Sequence, residues 1–191
     1  MGNLIIIGAG LAGLSAAITA GRMGKKCILI SDQPSERSQS VLAEGGINAA
    51  LDTMGEKDSI QEHYRDSLEG GSYLADPDAL YAMIKAAPLI VEELADLGVP
   101  FLRNESGILL RNMAGQKKKR TAYVKNSTGK MVMTTLIDEA RKYEACGTIT
   151  RLPHHKFLRL YLEGKIYEIW QSDAERYCGK GNVSGVQENG L

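Results

Sequence analysis

The chain has 191 residues, with 23 Lys and Arg against 23 Asp and Glu, so its formal net charge is zero. Hydrophobic content of 43% and charged content of 24% suit a folded globular chain of one or two domains. The even charge argues against nucleic-acid binding, and no apolar run approaches membrane-spanning length.

A short apolar run, Asn3 to Ile7, leads straight into Gly8-Ala9-Gly10-Leu11-Ala12-Gly13 and then a helix-forming segment. Strand, G-x-G-x-x-G and helix in that order are the fingerprint of a dinucleotide-phosphate cradle. Gly8 makes the tight turn, Gly10 lets the backbone approach a pyrophosphate, and Gly13 lets helix and sheet pack closely. The diphosphate then rests on the free N–H groups at the helix start. Leu11, Leu14 and Ile18 form an apolar helix face, and Gly24 stands where a C′ glycine ends the helix. Cys27 to Ile30 is the next parallel strand. At its tip, Ser31 or Asp32 is placed to meet an adenosine ribose, Asp32 at nearly the spacing from Gly13 that such carboxylates keep. A turn role for Asp32 ahead of Pro34 stays open.

Polar residues from Gln33 to Ser40 form a loop. In Val41 to Ala50, the paired glycines Gly45-Gly46 within an apolar stretch suggest backbone pressed against something flat. Asp58 reads as an N-cap, with Gln61 completing the box, for a helix to about Leu68 that Gly70-Gly71 ends. Asp76-Pro77 opens another helix, which Pro88 should divide or kink and Gly98 stops. Pro100 to Lys119 reads as irregular or weakly extended, and Lys117 to Arg120 as a solvated basic loop. Ser127-Thr128-Gly129 precedes an amphipathic helix from Lys130 to Ala145, capped by Gly147. Phe157 to Leu162 and Ile166 to Trp170 read as a β-hairpin. Three scattered cysteines (Cys27, Cys146 and Cys178) suggest no disulfide frame or metal site. His154 and His155, placed on a strand, would point to opposite faces and not chelate one ion. The chain thus divides into a domain over 1–178 and a polar tail over 179–191 expected to be disordered. With a strand starting almost at Met1, no signal peptide fits, and a cytoplasmic location is the expectation.

The motifs taken together resemble one family. Gly8 to Leu14, Arg37-Ser38-Gln39-Ser40, Glu44-Gly45-Gly46-Ile47-Asn48-Ala49-Ala50, His63 to Gly71 with Leu74 to Pro77, Leu97 to Phe101, and Arg120-Thr121 with Ser127-Thr128-Gly129 are similar, in order, to the flavoprotein subunit of the succinate dehydrogenase/fumarate reductase family. The resemblance implies an α/β, Rossmann-like FAD-binding domain: a βαβ start, a helical middle and a hairpin near the C-terminus, incomplete and without the family's capping domain. It implies FAD in the cradle, held by Gly8, Ala9, Gly10, Leu11, Ala12 and Gly13, with Ser31, Asp32, Ser38, Gln39, Ser40, Ala43 and Glu44 around it. Gly45 and Gly46 would lie against the isoalloxazine, and backbone near His155 and Lys156 against the adenine.

Two departures stand out. Respiratory members bond a histidine to the flavin at the position of Gln39, and a carboxamide cannot make that bond, so FAD is expected to be non-covalent. The residues that bind a dicarboxylate and deliver its proton lie in later segments that this chain does not carry, so no catalytic residue is named, and the chain alone is expected to be inactive. Two other readings stay open. One is a non-catalytic nucleotide- or partner-binding fragment, whose open sheet edge invites a protein partner. The other is an NAD-binding Rossmann protein.

Overall fold

A computed structural model describes residues 4–162 and 165–168. The expectations for Asn3, Trp170, Cys178, the hairpin turn and the 179–191 tail lie outside these residues. The chain forms two units, Met1–His155 and Lys156–Leu191.

In the first unit the apolar runs become a parallel sheet. Strand β1 (Leu4–Ile7) pairs with β2 (Cys27–Ile30), with Leu4 opposite Cys27 and Ile7 opposite Ile30. Helix α1 (Leu11–Arg22) connects them, and Gly24, at φ +66°, turns the chain back as expected. Cys27 and Leu29 are buried beneath α1, whose Leu14 and Ala17 have no exposure. The third strand was not legible as one. It is β8 (Ile149–Leu152), parallel to β2, with Cys27 opposite Ile149. Only four residues long and half polar, it lacks an apolar signature. Arg151 on it makes a bidentate pair with Glu144 at 2.7 and 2.9 Å, which ties the strand to helix α4 (Thr128–Ala145).

Strand β3 (Ile47–Asn48) opens the middle of the chain, and α2 (Ile60–Gly70) and α3 (Pro77–Asp96) follow. Ser59 caps α2, its hydroxyl accepting the Glu62 amide at 3.1 Å. The expected cap, Asp58, is one residue too early and is used elsewhere. Pro88 does not break α3, which runs unbroken for 20 residues. Ile84 and Val91 are fully buried on either side of it, and this packing offsets the lost amide bond. The extended stretch after Gly98 yields β4 (Arg103–Asn104), β5 (Gly107–Ile108) and β6 (Leu110–Arg111). β4 and β5 pair with each other. β7 (Thr121–Ala122) lies between β3 and β6, antiparallel to both.

Helix α4 starts at Thr128, two residues ahead of its expected start. Its cap is Cys146, and Gly147 follows as the left-handed residue at φ +69°. Val132, Met133, Leu136, Ile137 and Ala140 form its buried stripe. Gly21 is where α1 and α4 meet, since a Cβ there would stand 2.7 Å from the Tyr143 ring. In the second unit, β9 (Arg159–Leu162) and β10 (Lys165–Glu168) pair antiparallel as the expected hairpin, with Lys165, expected outside the strands, already in the second strand opposite Leu162.

Candidate cofactor site

The glycine turn is built as its sequence requires. Gly8 has φ +101°, a conformation that side chains rarely tolerate. A Cβ on Gly13 would run into the Gly8 carbonyl oxygen and stand 3.3 Å from Leu29 Cδ1, so α1 lies as close to the sheet as a glycine allows. Leu14 is the first amide to bond back, to the Gly10 carbonyl at 3.0 Å. Among the described residues, the Ala12 and Gly13 amides find no acceptor. Two unsatisfied N–H groups at the positive end of a helix dipole favour an anion.

The 3-10 turns Ser35–Arg37 and Gln39–Leu42 bring the next candidates to this turn. Ser40 Oγ accepts the Leu11 amide at 3.3 Å and stands 3.0 Å from where a Gly10 Cβ would be, with Ser38 Cβ 4.0 Å away. Gln39, Ala43 and Glu44 are exposed. The segment is held from below by α4: the Gly129 amide donates to the Ala43 carbonyl at 2.6 Å, and a Cβ on Gly129 would meet the Ser40 carbonyl oxygen.

At the tip of β2, the Ser31 amide donates to the Leu152 carbonyl at 3.1 Å and its carbonyl accepts the His155 amide at 2.9 Å. Ser31 and His155 are therefore neighbours, and Ser31 borders a cavity of about 280 Å³ with Ser35 and Arg151. Asp32 is exposed beside them. The two histidines are not on a strand. His154 has φ +62° in the turn after β8, and His155 Nδ1 lies 2.7 Å from the Pro153 carbonyl oxygen. Lys156 belongs to the second unit. Among the described residues, no group of three or more His, Cys, Asp or Glu is arranged to hold a metal ion, and no helix is long and apolar enough to cross a membrane.

The glycine pair is set by residues that sequence reading left without a role. Gly46 has φ +109°, and a Cβ on it would stand 2.5 Å from the Ala122 carbonyl oxygen and 2.6 Å from Thr121 Cγ2. Arg111 donates to the Glu44 and Gly45 carbonyls at 3.1 and 2.7 Å while stacking 4.4 Å over the Tyr123 ring. Thr121 Oγ1 bonds Asn48 Oδ1 at 2.7 Å, and the Ala49 amide donates to the Arg120 carbonyl at 2.8 Å.

The basic run is not a free solvated loop. Lys117 pairs with Glu69 at 2.8 Å and Asp66 at 3.3 Å, and Lys119 with Glu56 at 3.1 Å. Arg120 is wholly buried. Its Nε and Nη2 clasp Asp58 at 3.0 and 2.8 Å, and Nη2 reaches Asp66 at 3.0 Å. Asp58, Asp66 and Arg120 form, with His63 beside them, a buried cluster joining α2 to β7. His63, Asp66 and Arg120 line a cavity of about 450 Å³ together with Gly45 and Gly46. No local spacing signals this cluster.

The cluster gives stability an acid limb. Burial, reinforced by the Arg120 charge and partly opposed by Asp58 and Asp66, holds the His63 imidazole below its ordinary 6.5. Burial alone would raise the Asp66 carboxyl, but bonds from Lys117 and the charges of Arg120 and Lys117 outweigh it, and the net shift is down from 3.8. In both cases the unfolded chain takes up its proton first as pH falls, so stability drops with acid. Thermal midpoints should be level above about pH 7, decline once pH passes below about 6.5 as His63 contributes, and fall again below about pH 4 as Asp66 does. His63→Gln should flatten the first limb; an unchanged limb in that variant would assign it to another group.

Comparison with known proteins agrees with this geometry. The FAD binding domain family matches residues 3–186. The chain is 41% identical over 162 residues to the succinate dehydrogenase flavoprotein subunit of Bacillus subtilis (strain 168), covering 84% of this chain but 28% of that protein. It is 35% identical over 144 residues to the fumarate reductase flavoprotein subunit of Mycobacterium tuberculosis, covering 74% of this chain and 24% of that one. Among solved structures, Escherichia coli quinol fumarate reductase superposes with a TM-score of 0.78 at 31% identity, over 86% of this chain and 28% of that chain. The Mycobacterium smegmatis Sdh1 complex gives 0.77, also at 31% identity, over 86% and 30%. The chain thus spans under a third of the length of these relatives. A strand–glycine turn–helix with unsatisfied amides, continuing into a family match over nearly its whole length, makes this chain a member of the FAD binding domain family, related to the flavoprotein subunits of succinate dehydrogenase and fumarate reductase.

Proposed function

We propose that the chain is the FAD-holding part of an oxidoreductase that acts on a dicarboxylate, as the names of its relatives suggest. The observation that carries this reading is the turn at Gly8, Gly10 and Gly13, where the Ala12 and Gly13 amides lack an acceptor among the described residues and a Cβ on Gly13 would have no room. That turn fits the diphosphate of a dinucleotide. Ser38 and Ser40 border it. Ser31, with Asp32 and the His155 backbone next to it, lies at the strand tip where an adenosine end is expected. Ala43, Glu44, Gly45 and Gly46 would serve the ring end, where Arg111 and β7 hold the backbone in place. When bound, FAD supplies hydride transfer at its ring system to or from a carbon–carbon bond of the dicarboxylate. The chain's own residues orient it and shape its surroundings.

The attachment is non-covalent in this reading. Gln39 occupies the position of the family's flavin-bonded histidine, and its carboxamide nitrogen is not nucleophilic. These 191 residues taken by themselves are also expected not to turn over, because they cover about 28% of the B. subtilis relative and the resemblance puts the substrate's ligands outside the matched part. Protein loaded with FAD should be yellow and should retain FAD in preference to NAD. Acid precipitation should leave the flavin in the supernatant, and the loaded chain should not reduce a dye with succinate. Colour kept in the acid pellet would overturn the non-covalent attachment, and a chain that ignores FAD but binds NADH would overturn the FAD reading.

A further inference from the structure

Three residues that line the cavity beside the glycine pair each carry a buried polar atom with no hydrogen-bond partner among the described residues. His63 is 6% exposed and Arg120 0%. These atoms are His63 Nδ1, Arg120 Nη1 and Asp66 Oδ1, the last 3.3 Å from the Lys117 ammonium without a hydrogen bond to it. Buried polar atoms are nearly always paired, so three orphans on residues of one cavity mark a place where something else supplies the partner.

The charges around the cavity narrow what that is. Asp58 and Asp66 balance Arg120 and Lys117, and Glu69 adds one further negative charge. An anion would enter an already acidic setting, whereas a neutral polar ligand would not. The walls suggest its shape. Gly45 and Gly46 offer bare backbone on one side, and Met113, whose Cε is 3.8 Å from where a Gly45 Cβ would be, offers a thioether. Bare backbone and a polarizable methionine suit the face of an aromatic ring. His63 and Asp66, three residues apart, share a face of α2, and Arg120 grips that face through Asp66. The unpaired Nδ1 of a neutral imidazole can either donate to a carbonyl or accept from an N–H, so it can meet one group of a ring edge that presents both.

We propose that His63 reads the polar edge of a flat, neutral heteroaromatic ring in this cavity, the flavin head of the FAD assigned above, and that Arg120 is a positioning residue that holds α2 in place. The inference rests on the proposed FAD function and adds to it the residue that selects the ring.

The test uses the 191-residue chain with FAD and with ADP, which carries the diphosphate but no ring head. Wild-type chain should bind FAD more tightly than ADP and shift the flavin absorption bands. His63→Phe keeps the bulk but removes both hydrogen-bonding groups. It should bind FAD about tenfold more weakly, lose the band shift and bind ADP unchanged. His63→Gln, which restores a donor and an acceptor, should recover most of the loss. Unchanged FAD binding by His63→Phe would mean that water alone pairs these atoms, and would overturn the proposal. An equal loss of ADP binding would assign His63 a purely structural role, which also overturns it. Wild-type chain that binds FAD no more tightly than ADP would leave the cradle standing but refute the ring seat. Binding of neither ligand would refute the FAD function and this inference together.

Discussion

Replacing Arg120 with methionine should lower the thermal midpoint by about 6–20 °C, the largest loss expected from any single substitution in this chain. The side chain is fully buried and answers two carboxylates, clasping Asp58 at 3.0 and 2.8 Å and reaching Asp66 at 3.0 Å. Removing the cation leaves both acids in a poorly solvated site, which costs about 3–5 kcal/mol. Lys117 offsets part of this at Asp66 but does not form the buried bidentate pair at Asp58. The second variant Arg120→Met with Asp58→Asn should recover part of the loss, since it removes the worse-placed charge. Calorimetry of the three proteins decides the matter. A drop of less than about 2 °C in the single variant would show that the cluster is solvated and contributes little.

Gly13→Ala should abolish most coenzyme binding. The added methyl group would overlap the Gly8 carbonyl oxygen and press on Leu29. The first obstacle is backbone and cannot rotate away, so α1 must lift from the sheet. Overpacking of this kind costs about 1–3 kcal/mol of stability. It also moves the Ala12 and Gly13 amides off the diphosphate position. Each charge-assisted bond lost there is worth about 1.5–3 kcal/mol, so FAD affinity should fall by about 10–150-fold. Ser15→Ala, on the exposed side of the same helix, should change neither quantity. Titration of both variants with FAD is the measurement, and wild-type affinity in Gly13→Ala would mean that the coenzyme is held elsewhere.

How much could be read beforehand follows from the distance over which each feature is encoded. The turn at Gly8, Gly10 and Gly13, helix α1 and strand β2 are specified by adjacent residues, and their patterns survive in the sequence alone. The sequence points one residue early for the cap of α2 because Asp58 and Ser59 are both good caps. Only the demand of Arg120 for a partner separates them. β8 is not legible in the sequence because a four-residue strand with Thr150 and Arg151 in it carries no alternation to detect. It is defined by its pairing with β2 and by the grip of Glu144 on Arg151. The wall behind Gly46 likewise comes from β7, a two-residue strand whose identity depends wholly on its neighbours. The glycine pair stands out in its apolar stretch and the resemblance adds only the ring, but the residues that hold it, Arg111 and Thr121, act across long sequence separations. No spacing rule applies to them.

The first turn of α4 carries an obligation that its amphipathic stripe conceals. Gly129 gives its amide to Ala43 and leaves no room for a methyl group beneath Ser40. Its neighbour Thr128 is tied up in turn, accepting the Val124 amide at 2.9 Å. Two helix starts far apart along the chain are thus fitted to opposite sides of one short segment. Mutational drift at either start reaches the same few backbone atoms, so the lineage can change one only with the consent of the other.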